Sequence, residues 1–256
     1  MLRFLSTRLW NGALVMVGVS FVSFLLFSYI GDPVNNLLGE IHVAMSRVRS
    51  PAEYQDLLGS LSEESDQLKT LIDSLLFLAR AEHPETEINR EVLDVGREVE
   101  LVRNFYIPAA AEAGVDINFD VPGGIHFPLD RTLFQRALGN LVQNALAHTP
   151  TGGHVEIMVE RAETGLFVRV RDSGIGIARQ HLSHVLDRFY RIDNARAKVT
   201  GGVGLGLAIV QSIVGLHGGE LEISSEVGQG TTVTLEFPKY SPSGSPRDAG
   251  RELRSS

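Results

Sequence analysis

Residues 201–210 read Gly-Gly-Val-Gly-Leu-Gly-Leu-Ala-Ile-Val and place a glycine cluster at the start of an apolar helix. Backbone N–H groups at a helix start can receive phosphate oxygens, because the helix dipole leaves that end partly positive. A Rossmann loop would need Gly-x-Gly-x-x-Gly in a βαβ unit, and a Walker loop would need Gly-Lys-Ser/Thr. Neither pattern is present, so the stretch predicts a phosphate-binding helix in a different α/β fold.

Alternating helices and strands surround this stretch. Helices are predicted at Asp94–Ala113, at Asp130–Ala147 and up to His217, and strands at Val115–Val121, Ile125–Pro128, His154–Glu160, Leu166–Arg171, Glu220–Ser225 and Thr231–Phe237. The strands come in adjacent pairs, which favours a mixed or largely antiparallel sheet with helices on one face. We therefore expect an α+β fold built as an α/β sandwich and not a doubly wound fold.

Three polar side chains share one face of the helix predicted after Asp130. Asn140, Asn144 and His148 are spaced by four residues, which places them on the same side of a helix. An amide oxygen is a hard neutral ligand suited to Mg²⁺, which takes its other ligands from water and nucleotide phosphates. A solvated helix face is the alternative interpretation of the same spacing.

A second polar element, Asp172-Ser-Gly-Ile-Gly-Ile, directly follows an apolar strand. An ionised carboxylate there can accept a hydrogen bond from an exocyclic amine such as adenine N6, whereas guanine would present an oxygen. Gly174 and Gly176 would let the backbone turn sharply against a ring. An ordinary turn would explain this motif equally well when it is taken alone.

The region before residue 83 predicts a helical hairpin, with helices at Val34–Ser46 and Glu53–Ala81. Leucines at heptad spacing form an apolar stripe on the second helix. Two chains pairing into a four-helix bundle would bury this stripe, and packing against the rest of the same chain is the alternative.

The run from Gly12 to Ile30 carries no charge and is long enough to span a bilayer as a helix. A signal peptide and a buried segment are alternatives. Arg3 and Arg8 precede the run, so the positive-inside tendency would place the N-terminus in the cytoplasm and a single span would place the rest outside. A domain on that side of the membrane would be separated from nucleotides of the cytoplasm.

Composition excludes some classes of function. A formal net charge of −8 argues against a nucleic-acid partner, because phosphate-backbone binding needs a basic face. The absence of cysteine excludes a disulfide framework and a thiolate metal site.

Five motifs in order resemble the N, G1, F, G2 and G3 boxes of sensor histidine kinases. They are Asn140-Leu-Val-Gln-Asn144-Ala, Asp172-Ser-Gly-Ile-Gly-Ile, Arg188-Phe-Tyr-Arg, Gly202-Val-Gly-Leu-Gly-Leu and Gly228-Gln-Gly-Thr-Thr232. The stretches Pro-Val-Asn-Asn-Leu-Leu-Gly-Glu-Ile from Pro33 and Leu-Ile-Asp-Ser-Leu-Leu-Phe-Leu-Ala-Arg-Ala-Glu, which ends at Glu82, are similar to the dimerisation hairpin of heavy-metal-responsive (copper/silver) sensor kinases.

The resemblance implies the Bergerat ATP-binding fold, with Asn144 as the Mg²⁺ ligand, Asp172 at adenine and Phe189 anchoring an ATP lid. The nucleotide-binding residues that it implies are Asn140, Asn144, His148, Asp172, Gly174, Gly176, Phe189, Arg191, Gly202, Gly204, Leu205, Gly206, Thr231 and Thr232. It further implies ATP and Mg²⁺ as cofactors, a response regulator as partner, a homodimer or a heterodimer with another kinase, and an inner-membrane protein with a cytoplasmic kinase domain.

The sequence patterns and the resemblance together predict five segments. These are a membrane segment (1–31), a dimerisation hairpin (32–82), a linker (83–92), an ATP-binding domain (93–239) and a disordered tail (240–256).

The family's acceptor motif, Ser-His-Glu-Leu-Arg-Thr before the proline, is missing. An ungapped alignment puts Ser28 at the acceptor position and Tyr29 at that of the proposed base, and an unactivated alcohol is a poorer nucleophile than imidazole. Three hypotheses follow: a kinase that phosphorylates an intact partner in trans, an ATP-binding pseudokinase, and a truncated or frame-altered gene product. An ATP-driven clamp of the Hsp90 or MutL class is a further alternative.

Overall fold

The computed structural model describes residues 50–83, 86–192 and 203–239. The predicted membrane run, the first hairpin helix, Ser28, Gly202 and the tail from residue 240 lie outside these ranges.

The first helix, α1, runs over Pro51–Ala81 and so begins two residues before the predicted start. Ser50 and Glu53 form a reciprocal cap: the Ser50 N–H donates to Glu53 Oε2 at 2.8 Å, and the Glu53 N–H donates to Ser50 Oγ at 3.3 Å. Pro51 occupies the first helical position, where a missing N–H costs nothing.

The remaining elements follow in chain order. They are β1 (Glu91–Asp94), α2 (Val95–Ala113), β2 (Asp116–Asp120), β3 (His126–Leu129), α3 (Arg131–His148), β4 (His154–Arg161), β5 (Gly165–Asp172), α4 (Arg179–Leu182), α5 (Gly206–Leu216), β6 (Glu220–Glu226) and β7 (Gly230–Pro238). Asp94 and Asp130 cap α2 and α3 by accepting hydrogen bonds from the N–H groups of Arg97 and Leu133. The last two residues of the predicted linker, 91 and 92, belong to strand β1.

The main sheet is mixed, as predicted, with the strand order β2-β4-β5-β7-β6. Strand β2 is parallel to β4, and the other pairs are antiparallel. The expectation that successive strands pair is wrong for β2 and β3, because β3 instead pairs with β1 in a separate two-stranded sheet. This small sheet buries Leu93, Phe127 and Leu129, which accounts for its formation from two short strands.

One face of the main sheet is packed against helices. Side chains on this face alternate with exposed or half-buried ones along each strand, as in Val155, Ile157 and Val159 of β4. Phe134 of α3 meets Phe237 of β7 edge to face, with ring centroids 6.0 Å apart. This packing fixes α3 over the centre of the sheet.

The chain forms two compact units, Met1–Asp73 and Ser74–Ser256. The last two turns of α1 thus belong to the second unit, where the Arg136 guanidinium lies 4.6 Å from the Phe77 ring centroid and Arg188 pairs with Glu82. Within the described ranges no helix is long and apolar enough to cross a membrane.

Candidate functional site

Helix α3 presents Asn140, Asn144 and His148 on one face, as their spacing predicts. The two asparagines are half-buried, and Asn140 Nδ2 donates to the Arg136 carbonyl at 2.9 Å. This bond leaves the Asn140 Oδ1 atom turned outward from the helix backbone. The Asn144 amide forms no hydrogen bond with any residue of the described ranges, so both its oxygen and its nitrogen remain available to a ligand.

Asp172 is the last residue of β5 and is only 8% exposed. Its Oδ1 atom accepts hydrogen bonds from the Gly174 N–H at 2.8 Å and the Thr231 N–H at 3.2 Å. Burial raises the pKa of the Asp172 carboxyl, and these two hydrogen bonds oppose the rise. No described residue donates to Oδ2, so one buried carboxylate oxygen is fixed in place and available to a donor from outside the protein.

The loop after β5 is held against two other elements. A Cβ at Gly174 would overlap the His148 carbonyl oxygen, and the Ile175 N–H donates to that carbonyl at 3.2 Å. Gly176 has φ 68° and lies against the Glu226 carbonyl, where no side chain would fit. The predicted sharp turn is therefore present, and it brings the end of α3 next to Asp172.

Phe189 has φ 65°, the one positive value among the described residues other than glycine. Its N–H donates to the Gly204 carbonyl at 2.9 Å, and Gly204, with φ 76°, lies so close that a Cβ would sit 2.9 Å from the Tyr190 oxygen. The two chain segments that flank residues 193–202 are thus joined at Phe189 and Gly204. This junction is where the resemblance places the anchor of a lid.

Helix α5 begins at Gly206, next to Asn140. A Cβ at Gly206 would lie 3.5 Å from Asn140 Oδ1, so the helix start and the polar face of α3 adjoin. Leu205 precedes the helix without a capping side chain. The first N–H groups of α5 are therefore not satisfied by a cap and face the same region as Asn140.

The two threonines predicted for the site lie on opposite faces of β7. Thr231 pairs with Asp172 and donates to it, whereas Thr232 pairs with Arg171. Adjacent residues of a strand point to opposite sides, so Thr232 is not brought together with the residues of α3. Both threonines line a shallow cavity of about 410 Å³ at this end of the sheet.

Two predicted residues remain outside this assembly of contacts. Gly202 is not among the described residues. Arg191 is half-buried just after the Phe189 junction, and its assignment to nucleotide binding stays a prediction.

Ser225 was not predicted, yet it joins three parts of the site. Its Oγ atom accepts from the Ile177 N–H at 2.8 Å and lies 2.8 Å from both the Gly230 carbonyl and Thr231 Oγ1. The signal in the sequence is the alternation Leu221, Ile223, Ser225, in which a hydroxyl occupies a position of the packed face of β6.

The donor chemistry of the site fits one Mg²⁺ ion that is shared with phosphates. Asn144 offers a neutral oxygen, and Mg²⁺ keeps several waters and takes its other ligands from the nucleotide. Within the described ranges no group of three or more His, Cys, Asp or Glu residues is placed to hold a metal alone. Such an ion would therefore bind together with a nucleotide.

Comparisons with known proteins show similarity to histidine kinases. Residues 129–241 match the family described as Histidine kinase-, DNA gyrase B-, and HSP90-like ATPase. The sensor protein IrlS of Burkholderia pseudomallei is 37% identical over 236 residues, which cover 90% of this chain and 50% of IrlS. The sensor histidine kinase CusS of Escherichia coli K12 is 34% identical, covering 82% of this chain and 43% of CusS. The chain thus spans about half the length of these curated relatives.

Solved structures share the fold. The Acinetobacter baumannii histidine kinase AdeS superposes with a TM-score of 0.70 at 22% identity, covering 83% of this chain and 98% of AdeS. Histidine kinase ThkA, solved with the response regulator protein TrrA, gives 0.70 at 20% identity, covering 93% and 66%. Full-length ShkA, solved with AMPPNP, gives 0.64 at 24% identity, covering 90% and 46%.

The five ordered motifs, the mixed sheet that carries them and the match over residues 129–241 lead to one conclusion. Residues 129–241 carry a domain that matches the histidine kinase-, DNA gyrase B- and HSP90-like ATPase family, and the expected resemblance of the chain to sensor histidine kinases is confirmed.

Proposed function

We propose that the chain binds Mg·ATP and acts as a protein-histidine kinase of a two-component system. The observation that carries this proposal is the convergence of three ligand-binding features: the Oδ2 atom of Asp172, the amide of Asn144 and the start of α5. Each is left without a protein partner among the described residues, and each suits a different part of one nucleotide. A chance solvated surface would not leave a buried carboxylate oxygen unused at one end of the polar face of α3 and an uncapped helix start at the other.

Different residues bind the base, the phosphates and the metal ion of the nucleotide. Asp172 Oδ2 accepts a hydrogen from adenine N6, while the glycines at 174 and 176 let the loop lie flat against the base. The N–H groups at the start of α5 receive phosphate oxygens. Asn140 and Asn144 lie between these two points, and Asn144 would hold Mg²⁺. When bound, that ion neutralises charge on the phosphate oxygens.

Phosphoryl transfer needs a nucleophile that this chain does not place where the family has it. A neutral imidazole nitrogen forms the new P–N bond to the γ-phosphorus as the bond to the bridging oxygen breaks and ADP leaves. Ser28 occupies the acceptor position and lacks a basic neighbour, since Tyr29 follows it. We therefore propose that the acceptor histidine belongs to a partner chain.

The wider assignments rest on the same proposal. A response regulator would receive the phosphoryl group from the histidine, and the stripe on α1 would pair two chains, either identical ones or this chain with another kinase. The apolar run from Gly12 to Ile30 would attach the protein to the inner membrane with the kinase domain in the cytoplasm.

Two copies of the chain test the transfer. One copy is wild type, and the other carries Ser28→His and Tyr29→Glu together with Asn144→Ala, so that it offers an acceptor but no working ATP site. After incubation with Mg²⁺ and γ-labelled ATP, we expect acid-labile label on the acceptor copy. Repeating the mixture with Asn144→Ala in both copies is the matched control and should give none.

The missing acceptor favours a second candidate, an ATP-binding pseudokinase that acts through dimerisation. A chain that carries Ser28→His and Tyr29→Glu and keeps Asn144 tests whether the phosphoryl group is transferred within one chain. If neither this chain nor the mixture is labelled, while wild type and the Ser28→His, Tyr29→Glu chain still bind ADP, the kinase assignment is wrong and the pseudokinase is supported.

A further inference from the structure

Ser225 lies where three parts of the site meet, and its hydroxyl is fully used. A hydroxyl group offers one hydrogen to donate and two lone pairs that accept. Ser225 Oγ accepts from the Ile177 N–H at 2.8 Å and has the Gly230 carbonyl, which can only accept, at 2.8 Å. The hydrogen of Ser225 therefore goes to Gly230, and one lone pair remains.

Thr231 takes that remaining lone pair. Its Oγ1 atom lies 2.8 Å from Ser225 Oγ, and since Ser225 has already given its only hydrogen, Thr231 must be the donor. The Thr231 hydroxyl is thereby turned toward Ser225. The Thr231 hydroxyl therefore offers only lone pairs to any other group.

The orientation of Thr231 matters because of where this residue lies. Its N–H donates to Asp172 Oδ1 at 3.2 Å, and the two residues are directly opposite each other in the pairing of β5 with β7. Both the carboxylate and the hydroxyl then act as acceptors toward a base in that position. Two acceptors can take hydrogen bonds from the exocyclic amine of adenine, whereas they would repel the carbonyl oxygen of hypoxanthine or guanine.

We infer that Ser225 is a positioning residue that sets adenine selectivity by holding the Thr231 hydroxyl as an acceptor and the Ile177 end of the base-binding loop in place. The inference rests on the proposed nucleotide site. Ser225 need not touch the base, since it acts through the Thr231 hydroxyl and the Ile177 N–H. Without it, Thr231 would be free to rotate and donate to a carbonyl oxygen.

The test compares ADP with IDP, in which a carbonyl oxygen replaces the exocyclic amine. Purified full chain is titrated with each nucleotide in the presence of Mg²⁺, for wild type, Ser225→Ala and Ser225→Thr. Ser224→Ala is the matched control, because Ser224 is the exposed neighbour on the other face of β6. We expect Ser225→Ala to reduce the ratio of the IDP Kd to the ADP Kd by roughly fivefold to tenfold, which is the effect of one mispaired hydrogen bond.

Ser225→Thr, which restores the hydroxyl, and Ser224→Ala should keep the wild-type ratio. If Ser225→Ala weakens both nucleotides equally or leaves the ratio unchanged while wild type binds ADP, Ser225 has no selective role and only this inference falls. If wild type binds neither nucleotide, the proposed ATP site falls with it.

Discussion

Asp172 divides two tasks between its two oxygens. Oδ1 is bonded to the N–H groups of Gly174 and Thr231, which ties the loop after β5 to β7, and Oδ2 is left for a ligand. Burial raises the pKa of the Asp172 carboxyl, and the two backbone donors oppose that rise because they favour the ionised form. The residue is thus both a structural tie and a recognition group.

Asp172→Asn separates these tasks. The amide oxygen can still accept the backbone N–H groups, whereas the second position becomes an NH₂ group that cannot accept from adenine N6. We expect ADP binding to weaken by about 1.5–3 kcal/mol, the range for a charge-assisted hydrogen bond, with little change in the fold. Isothermal titration measures this, and Glu222→Gln, which changes an exposed carboxylate of β6 outside the cavity, should bind as wild type does.

How well single residues could be predicted depends on the geometry that their pattern fixes. The spacing of Asn140, Asn144 and His148 determines their shared face as soon as the segment is helical. A strand fixes only alternation, so sequence could not decide which of Thr231 and Thr232 lies beside Asp172. Ser225 was missed because a lone hydroxyl in a strand has no distinctive spacing, and its role depends on chain segments far apart in sequence.

At the scale of elements, helix caps and strand lengths explain where the predicted helices and strands match the structure and where they differ. Helices α2 and α3 begin one residue after the predicted starts because Asp94 and Asp130 are their caps. The pairing of β1 with β3 could not be foreseen, since each strand has four residues and the partners lie on opposite sides of α2. Short strands carry too little pattern to specify a partner.

Gly204 tests the junction at which α5 and the segment around Phe189 meet. An alanine there would need φ near +76° and would crowd the backbone of Phe189 and Tyr190. We expect Gly204→Ala to weaken ADP binding at least tenfold and to lower stability by about 1–3 kcal/mol. Both effects are read by titration and by denaturant unfolding.

The control for that substitution lies within α5, the helix that follows Gly204. Gly215 has an ordinary φ and open space around its Cβ position, so Gly215→Ala should stabilise by about 0.5–1 kcal/mol and leave binding intact. Equal effects from both substitutions would contradict the junction.

His217 joins the end of α5 to the start of α3 as a neutral imidazole. Nδ1 donates to the Ile213 carbonyl at 2.8 Å, and Nε2 accepts from the Asp130 N–H at 3.1 Å. Protonation of Nε2 would set two donors against each other, and burial lowers the pKa of His217.

The pH dependence of stability follows from that pKa. Above the unfolded value of about 6.5 both states are neutral and the contribution is complete; it declines as pH falls below 6.5 toward the lower folded pKa. We expect urea unfolding to show a steeper loss of stability between pH 7 and 5 in wild type than in His217→Gln. If the stabilities of wild type and His217→Gln fell in parallel with pH, His217 would not be held as a neutral imidazole.

At the scale of the whole molecule, the ATP-binding unit extends into the helix that precedes it. Residues from Ser74 onward belong to the same compact unit as the sheet. Within that unit Phe77 meets Arg136, one turn before Asn140, and Glu82 meets Arg188, directly before Phe189. The heptad stripe predicted the helix, and the contacts of its last turns with α3 and Arg188 agree with the alternative that this part packs against the rest of the same chain.

Leu78 provides a stability test of this boundary. It is 1% exposed, whereas Leu76 on the same two turns is 50% exposed. We expect Leu78→Ala to lower the free energy of unfolding by about 2–5 kcal/mol, as for other buried leucines. Leu76→Ala should change it by no more than about 0.5 kcal/mol. Similar losses for the two variants in denaturant unfolding would contradict the assignment of Leu78 to the core.

The most direct test of the account is a calorimetric titration of the full chain with ADP, with Mg²⁺ and with a chelator, for wild type, Asp172→Asn and Asn144→Ala. We predict that wild type binds more tightly with Mg²⁺, that Asp172→Asn weakens binding in both conditions, and that Asn144→Ala removes the gain from Mg²⁺. Unchanged binding in both variants would show that α3, Asp172 and α5 do not form one Mg·nucleotide site.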